Sequence, residues 1–311
     1  MTGHHPPAQD ATPLPGTRFV DVRGTRIRVR ESGDPDGEPV LLLHGIGRSL
    51  EDWDPQHPHL IRYRVVAADL AGFGYSGRPA GPATLAGLAD TAVATLDAVG
   101  VTGPAHLMGN SLGGAVALLA SVRHPDRAAS LLLADPAGFG PEVTPALRVL
   151  GVPVLGRWLL GRFDERAARN TERSVFVDPA LVTEERVARA LEIGRRPEHA
   201  ETFAEIATEL GTVRGVRPGW RRALLTAAAR APKPTLVVWG ERDLILPVGQ
   251  LRTATRELPH VRTHVFGRVG HMPQIEAPER FAELAATHLD GATTQLRRRT
   301  SISSDTRAGT V

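Results

Sequence analysis

Five short, largely apolar runs, at residues 40–43, 65–68, 105–108, 131–134 and 236–239, each stop abruptly at His44, Asp69, Gly109, Asp135 and Gly240. Four-residue runs without polar alternation suit strands buried on both faces of a parallel sheet. Helical patterns separate them, at 83–99, 112–123, 248–257 and 278–289. Such alternation predicts a doubly wound α/β sheet. Two further strands, 19–22 and 27–30, are joined at Arg23-Gly24-Thr25 as an edge hairpin. Ligands of such sheets bind at the carboxyl ends of the strands. Every polar interruption named above falls there.

The alternation breaks between residues 140 and 230. That stretch is helical and arginine-rich, is interrupted at Pro153, Pro179, Pro197 and Pro218, and shows no strand run. It reads as a helical cap inserted into a core formed by 17–139 and 231–290. Residues 1–16, rich in Pro, His and Gly, and residues 291–311, polar and charged, are expected to be a disordered arm and tail.

Composition narrows the chemistry. The net charge is +3, and the tail alone carries as much (Arg297, Arg298, Arg299 and Arg307 against Asp305). The remainder is close to neutral, so no nucleic-acid surface is implied. Cysteine is absent, which removes disulfides, thiolate catalysis and cysteine metal sites. The only lysine, Lys233, lies between two prolines with neither a Schiff-base nor a P-loop setting. No apolar run approaches the roughly 18 residues of a membrane span, and the first residues lack the apolar core of a signal peptide. These features point to a cytoplasmic protein with a small-molecule substrate, no membrane partner and no cofactor. Oligomeric state is not readable.

The most chemical segment is Gly109-Asn110-Ser111-Leu112-Gly113, placed where an apolar strand gives way to an alanine-rich helix. This is the pattern of a nucleophile elbow, a tight strand-to-helix turn with serine at its tip. Its glycines are needed because backbone segments approach closely there. Serine needs a base, and the base needs an orienting group. His271, in Gly270-His271-Met272, is the base candidate, and Asp243, in Gly240-Glu241-Arg242-Asp243, the acid. The order Ser, Asp, His is the one such elbows carry. Asp135 also ends a strand and competes for the acid role, or marks the hinge of the cap. His44 is read as a partner of its own loop backbone rather than a base. The Gly72-x-Gly74-x-x-Gly77 run is followed by Arg78-Pro79-Ala80-Gly81-Pro82 instead of a helix, so it is not a dinucleotide site. His57 and His59 lack a carboxylate cluster and read as a solvated loop, with no metal implied.

Together, His44-Gly45, Asp69 to Ser76, Gly109 to Gly113, Gly240 to Asp243 and Gly270-His271 resemble the α/β-hydrolase superfamily, over roughly residues 18–289. The resemblance implies an eight-stranded, mostly parallel sheet with an inserted helical cap. It also implies an oxyanion hole formed by the backbone N–H groups of Ile46 and Leu112. Acyl transfer to water on an ester, thioester or lactone is the reaction inferred. Asn110 and the stretch from 176 to 199 are also similar to meta-cleavage-product hydrolases, which break C–C bonds in vinylogous diketo acids. There Arg189 falls where a cap arginine pairs with the substrate carboxylate. The loop Gly45-Ile46-Gly47-Arg48-Ser49 and Met272 depart from that family. Asn110, Arg48, Trp53, Arg189 and Met272 are the substrate-contact candidates by motif adjacency. A ligand-binding module and a cofactor-free haloperoxidase are further readings of the same constellation. Ser111, in place of aspartate, argues against epoxide hydrolases and dehalogenases.

Overall fold

The computed structural model describes residues 16–308, with side chains described to residue 298. The expected arm, 1–16, therefore lies outside the described residues except for Gly16. Eight strands form one sheet in the order β1-β2-β4-β3-β5-β6-β9-β10. They are β1 (Arg18–Val22), β2 (Thr25–Gly33), β3 (Pro39–Leu43), β4 (Arg64–Ala68), β5 (Ala105–Asn110), β6 (Ala128–Ala134), β9 (Thr235–Gly240) and β10 (Arg262–Phe266). From β4 to β10 all pairings are parallel, and β1 and β2 are added antiparallel at one edge.

The apolar runs split by pleat. Leu41, Leu43, Leu107, Leu131, Leu133, Val237 and Trp239 face one core layer, shared with helices α1 (Leu85–Ala98) and α2 (Leu112–Arg123). Val40, Leu42, Met108, Leu132, Leu236 and Val238 face the other, with Trp53, Phe281 and Leu289. Successive residues of a strand point to opposite faces. A run that must bury both faces therefore has no polar position, which is why these strands show no alternation.

Between β6 and β9 the chain forms α3 (Pro145–Leu150), α4 (Pro153–Leu160), α5 (Glu165–Val175), α6 (Glu184–Gly194), α7 (Pro197–Leu210) and α8 (Pro218–Arg230). Contrary to the sequence reading, this insertion contains strand: β7 (Gly211–Thr212) and β8 (Gly215–Val216) make a minimal antiparallel hairpin. Two-residue strands leave no periodic signature, so the pattern could not reveal them. The region of His57 and His59, expected as a solvated loop, is a 3₁₀-helical segment, Leu50–His59, that buries Leu50, Trp53 and Gln56.

Beyond β9 lie α9 (Leu251–Glu257), α10 (Pro273–Glu276) and α11 (Pro278–Ala308). Helix α11 continues past 291, where the charge pattern predicted disorder. Ala292 is buried, Thr293 Oγ1 lies 3.1 Å from His106 Nε2, and Arg297 pairs with Glu38 at 2.7 Å. Those docking contacts give the polar segment a reason to stay helical. No helix among the described residues is long and apolar enough to cross a membrane.

Candidate active site

Register sets the site. Leu43 pairs with Gly109, Asn110 with Ala134, and Ala134 with Val238, so β3, β5, β6 and β9 end level. The residues that follow those strands share one end of the sheet. Ser111 takes φ 55° and ψ −117°, a backbone conformation costly for a side chain with Cβ. Its surroundings hold it there. Its N–H donates to Ala134 O at 2.9 Å, and its carbonyl accepts from Gly114, Ala115 and Ala137. The tightness explains the flanking glycines: a Cβ on Gly109 would lie 2.2 Å from the Gly113 carbonyl oxygen, and one on Gly113 2.2 Å from that of Leu43. Helix α2 begins directly after Ser111, so its unpaired N–H groups and positive dipole end point at the serine.

His271 and Asp243 come together across 28 residues of sequence. His271 Nδ1 lies 2.7 Å from Asp243 Oδ2, with both side chains buried. Asp243 Oδ1 accepts from the Ile245 and Leu246 N–H groups at 2.7 and 3.0 Å. The carboxylate is thus fixed by three donors, and an imidazole bonded to it through Nδ1 presents Nε2 to a reaction partner. The His271 loop is anchored from several sides. Asn110 Nδ2 donates to His271 O at 3.0 Å, and His271 N–H donates to Val175 O at 2.9 Å. Glu276 accepts from Gly270 N–H at 2.8 Å and from Val177 N–H at 2.9 Å, clamping the loop to the helical insertion. Burial raises the Glu276 pKa from its ordinary value. Among the described residues no hydrogen bond joins the Ser111 hydroxyl to the imidazole. In ligand-free hydrolytic sites such contacts commonly tighten only in the substrate complex.

His44 is fully buried and serves its loop, as expected. Its Nε2 accepts from Leu70 N–H at 2.9 Å, so Nδ1 carries the proton and donates to Gly45 O at 2.8 Å. Burial lowers its pKa, which keeps the ring neutral. The loop that carries Ile46 is pinned at the residue before it.

A cavity with about 80 Å³ open to the centre of a water molecule has Ser111, Ile46 and Leu112 in its wall. The insertion supplies most of the rest: Val143 just before α3, Leu147 of α3, Ile206 and Leu210 of α7, Val216 of β8 and Trp220 of α8. No charged side chain lines it. Sequence reasoning placed Ile46 and Leu112 here but missed the helical walls. Their only signal is apolar spacing on helices, which the core also produces.

The substrate-contact candidates fare differently, and none of the five lines this cavity. Arg48 is engaged by Asp52, at 2.7 and 2.9 Å, and by Glu172. Trp53 is fully buried against Phe281, with ring centroids 6.0 Å apart. Met272 is buried at the start of α10. Asn110 brackets His271 and Ala134. Arg189 pairs with Glu185, one helical turn before it, at 2.6 Å.

This geometry has relatives. A family model described as the alpha/beta hydrolase fold matches residues 38–278. A 2-hydroxymuconate semialdehyde hydrolase of a Pseudomonas species is 33% identical over 280 residues, covering 88% of this chain and 93% of that protein. A protein of Pseudomonas putida named as the dihydrolipoyllysine-residue acetyltransferase component of an acetoin cleaving system is 33% identical over 270 residues, covering 85% and 67%. Among solved structures, a meta-cleavage product hydrolase of Pseudomonas fluorescens superposes with TM-score 0.74 at 27% identity, covering 88% of this chain and 98% of that one. A bacterial membrane phospholipase A superposes with TM-score 0.74 at 28% identity, covering 89% and 86%. On its strand order, its elbow and these matches, the chain belongs to the α/β-hydrolase fold family.

Proposed function

We propose that this protein is a serine hydrolase acting on a small carboxylic ester, thioester or lactone whose acyl group is apolar. Ser111 attacks the carbonyl carbon, and His271 Nε2 takes the hydroxyl proton. Asp243 holds the imidazole through Nδ1 and offsets the charge it gains. The backbone N–H groups of Ile46 and Leu112 receive the oxyanion, a donor of this kind being worth about 3–4 kcal/mol in the transition state. The protonated His271 then gives its proton to the leaving alcohol or thiol. A water deprotonated by His271 releases the acid and restores Ser111. The observation that carries this reading is the 2.7 Å His271–Asp243 bond, tied through Asn110 to a serine that opens into an apolar cavity.

A second reading is C–C cleavage of a vinylogous diketo acid, favoured by the 33% identity to the 2-hydroxymuconate semialdehyde hydrolases. It needs a cation for the substrate carboxylate. The apolar walls and the Arg189–Glu185 pairing favour the ester reading instead. Labelling with a fluorophosphonate probe, read by mass spectrometry, tests the shared chemistry: one adduct on Ser111, absent in Ser111→Ala and much reduced in His271→Ala. An unlabelled native protein refutes it and favours a binding module. Comparing short p-nitrophenyl esters with vinylogous diketo acids separates the two reactions. A preference for the diketo acids by orders of magnitude, lost in Arg189→Ala, overturns the ester assignment.

A further inference from the structure

Asp135, at the end of β6, is a buried carboxyl group beside the His271–Asp243 pair that the mechanism above leaves unused. Like Ser111 on the neighbouring strand, it follows its strand with positive φ, here 45°. It is fully buried. Its N–H donates to Val238 O at 2.9 Å, and its Oδ1 accepts from Gly240 N–H at 2.8 Å, at the root of the loop that carries Asp243. Its Oδ2 is buried with no hydrogen-bond partner. One side-chain oxygen each of Asp135 and Asp243 and one ring nitrogen of His271 lie within 4.8 Å of one another.

We propose that Asp135 is a positioning residue held as the neutral acid, its O–H donated to the Asp243 carboxylate so that the pair carries a single negative charge behind His271. The inference rests on the reading of His271 as the base. Two ionised carboxylates this close, both out of water, repel each other and cannot both remain charged. The donors decide which one keeps the proton. Asp243 receives two N–H groups and the imidazole, whereas Asp135 receives one N–H. The anion therefore settles on Asp243, and a proton on Asp135 Oδ2 supplies that atom with its missing bond. Burial and the charge of Asp243 both push the Asp135 pKa well above the carboxylate range, and Glu276 adds to the effect. The titratable groups acting on it are thus Asp243, His271 and Glu276.

The consequence concerns the base. A second anion would stabilise imidazolium and leave His271 protonated, hence idle, at neutral pH. A neutral acid instead draws charge away from the Asp243 oxygen that His271 uses, and keeps the imidazole free to accept the Ser111 proton. The Asp135 proton stays on Asp135 throughout turnover.

The test compares Asp135→Asn, which keeps a neutral donor, with Asp135→Gly, which removes it. Asparagine and glycine both accept the positive φ. The native protein should show the infrared C=O band of a protonated carboxylic acid at neutral pH, absent from both variants. In kcat/KM against pH, the midpoint of the acid limb should stay within about 0.3 units in Asp135→Asn and rise by about 0.5–1 unit in Asp135→Gly. NMR titration of the His271 ring should follow the same pattern without any substrate. The proposal is overturned if the band is missing, or if Asp135→Asn lowers the midpoint by about one unit or more, the mark of a lost anion. It is equally overturned if both variants titrate like the native protein. Because the infrared and NMR readouts need no turnover, failure here is distinguishable from failure of the hydrolase reading, which fluorophosphonate labelling decides.

Discussion

Replacing Ser111 with glycine should make the protein more stable than replacing it with alanine. Ser111 sits at φ 55°, ψ −117°, and alanine at that position keeps the Cβ that makes those torsions costly. Strain of this kind amounts to about 1–3 kcal/mol. Glycine removes it, but adds about 0.5–1 kcal/mol of unfolded-chain freedom. It also forfeits the burial of one carbon, about 0.8 kcal/mol, because a Cβ added to Gly45 would lie 3.3 Å from that of Ser111 and the site is already tight. The net advantage of Ser111→Gly over Ser111→Ala is about 0.5 kcal/mol at mid-range strain, or a rise in Tm of about 1–2 °C for a chain of this size. Equilibrium urea unfolding of both variants, paired with calorimetry under reversible conditions, measures it. A Ser111→Gly protein no more stable than Ser111→Ala would refute the claim that the elbow stores strain, and with it the reason the turn is gripped by four backbone hydrogen bonds.

Four further outcomes follow from named contacts. Filling the cavity with Ile206→Trp should shift preference toward shorter p-nitrophenyl esters, and Ile206→Ala toward longer ones, by about fourfold in kcat/KM for each methylene gained or lost; an unmoved chain-length profile would place the acyl group elsewhere. Glu276→Gln keeps the size but loses one of the two strong N–H contacts that fasten the His271 loop, so it should cost about 1–3 kcal/mol of stability and lower kcat more than it changes KM. His106 is buried on β5 beside Ser130 and Thr293, and burial lowers its pKa to about 4. Its neutral form is the folded one, so the stability it contributes is full above pH 6.5 and is lost as pH falls toward 4. Urea titrations at pH 7.5 and 5 should therefore differ by about 1–2 kcal/mol more in the native protein than in His106→Gln. Arg189→Ala should leave ester turnover within about twofold, since it removes only a half-exposed ion pair.

What could be read from the chain, and what could not, divides along a physical line. Strand ends were legible because a polar residue after a fully apolar run has few reasons to be there, and His44, Ser111, Asp135, Asp243 and His271 all stand at such interruptions. The register Asn110–Ala134–Val238 then brings the loops together without further information. The cavity wall was not legible. Leu147, Ile206 and Leu210 carry the same apolar spacing as helices that simply face a core, and which side of α3 or α7 meets Ser111 is decided by tertiary packing. The β7–β8 hairpin was too short to leave a period, and the extension of α11 depends on Thr293 meeting His106, a contact invisible in a tail that reads as charge and polarity.

Arg189 shows why relatedness and contact geometry come apart. A guanidinium recognises a carboxylate only when its own partners leave it free to do so. Four positions earlier on the same helix stands Glu185, at the spacing where side chains of one face meet. Glu185 takes the guanidinium at 2.6 Å. Arg48, the other cation near the nucleophile loop, is held between Asp52 and Glu172. Both arginines that could have greeted an anionic substrate are thus neutralised by neighbours from this chain. The wall that does meet Ser111 is mostly apolar and carries no charged side chain. An acid-bearing substrate would have to break one of these pairs and leave a carboxylate behind, a buried one in the case of Glu172. An apolar acyl chain meets no such penalty, and that difference, rather than any single motif, is what supports the proposed ester reading over the C–C one.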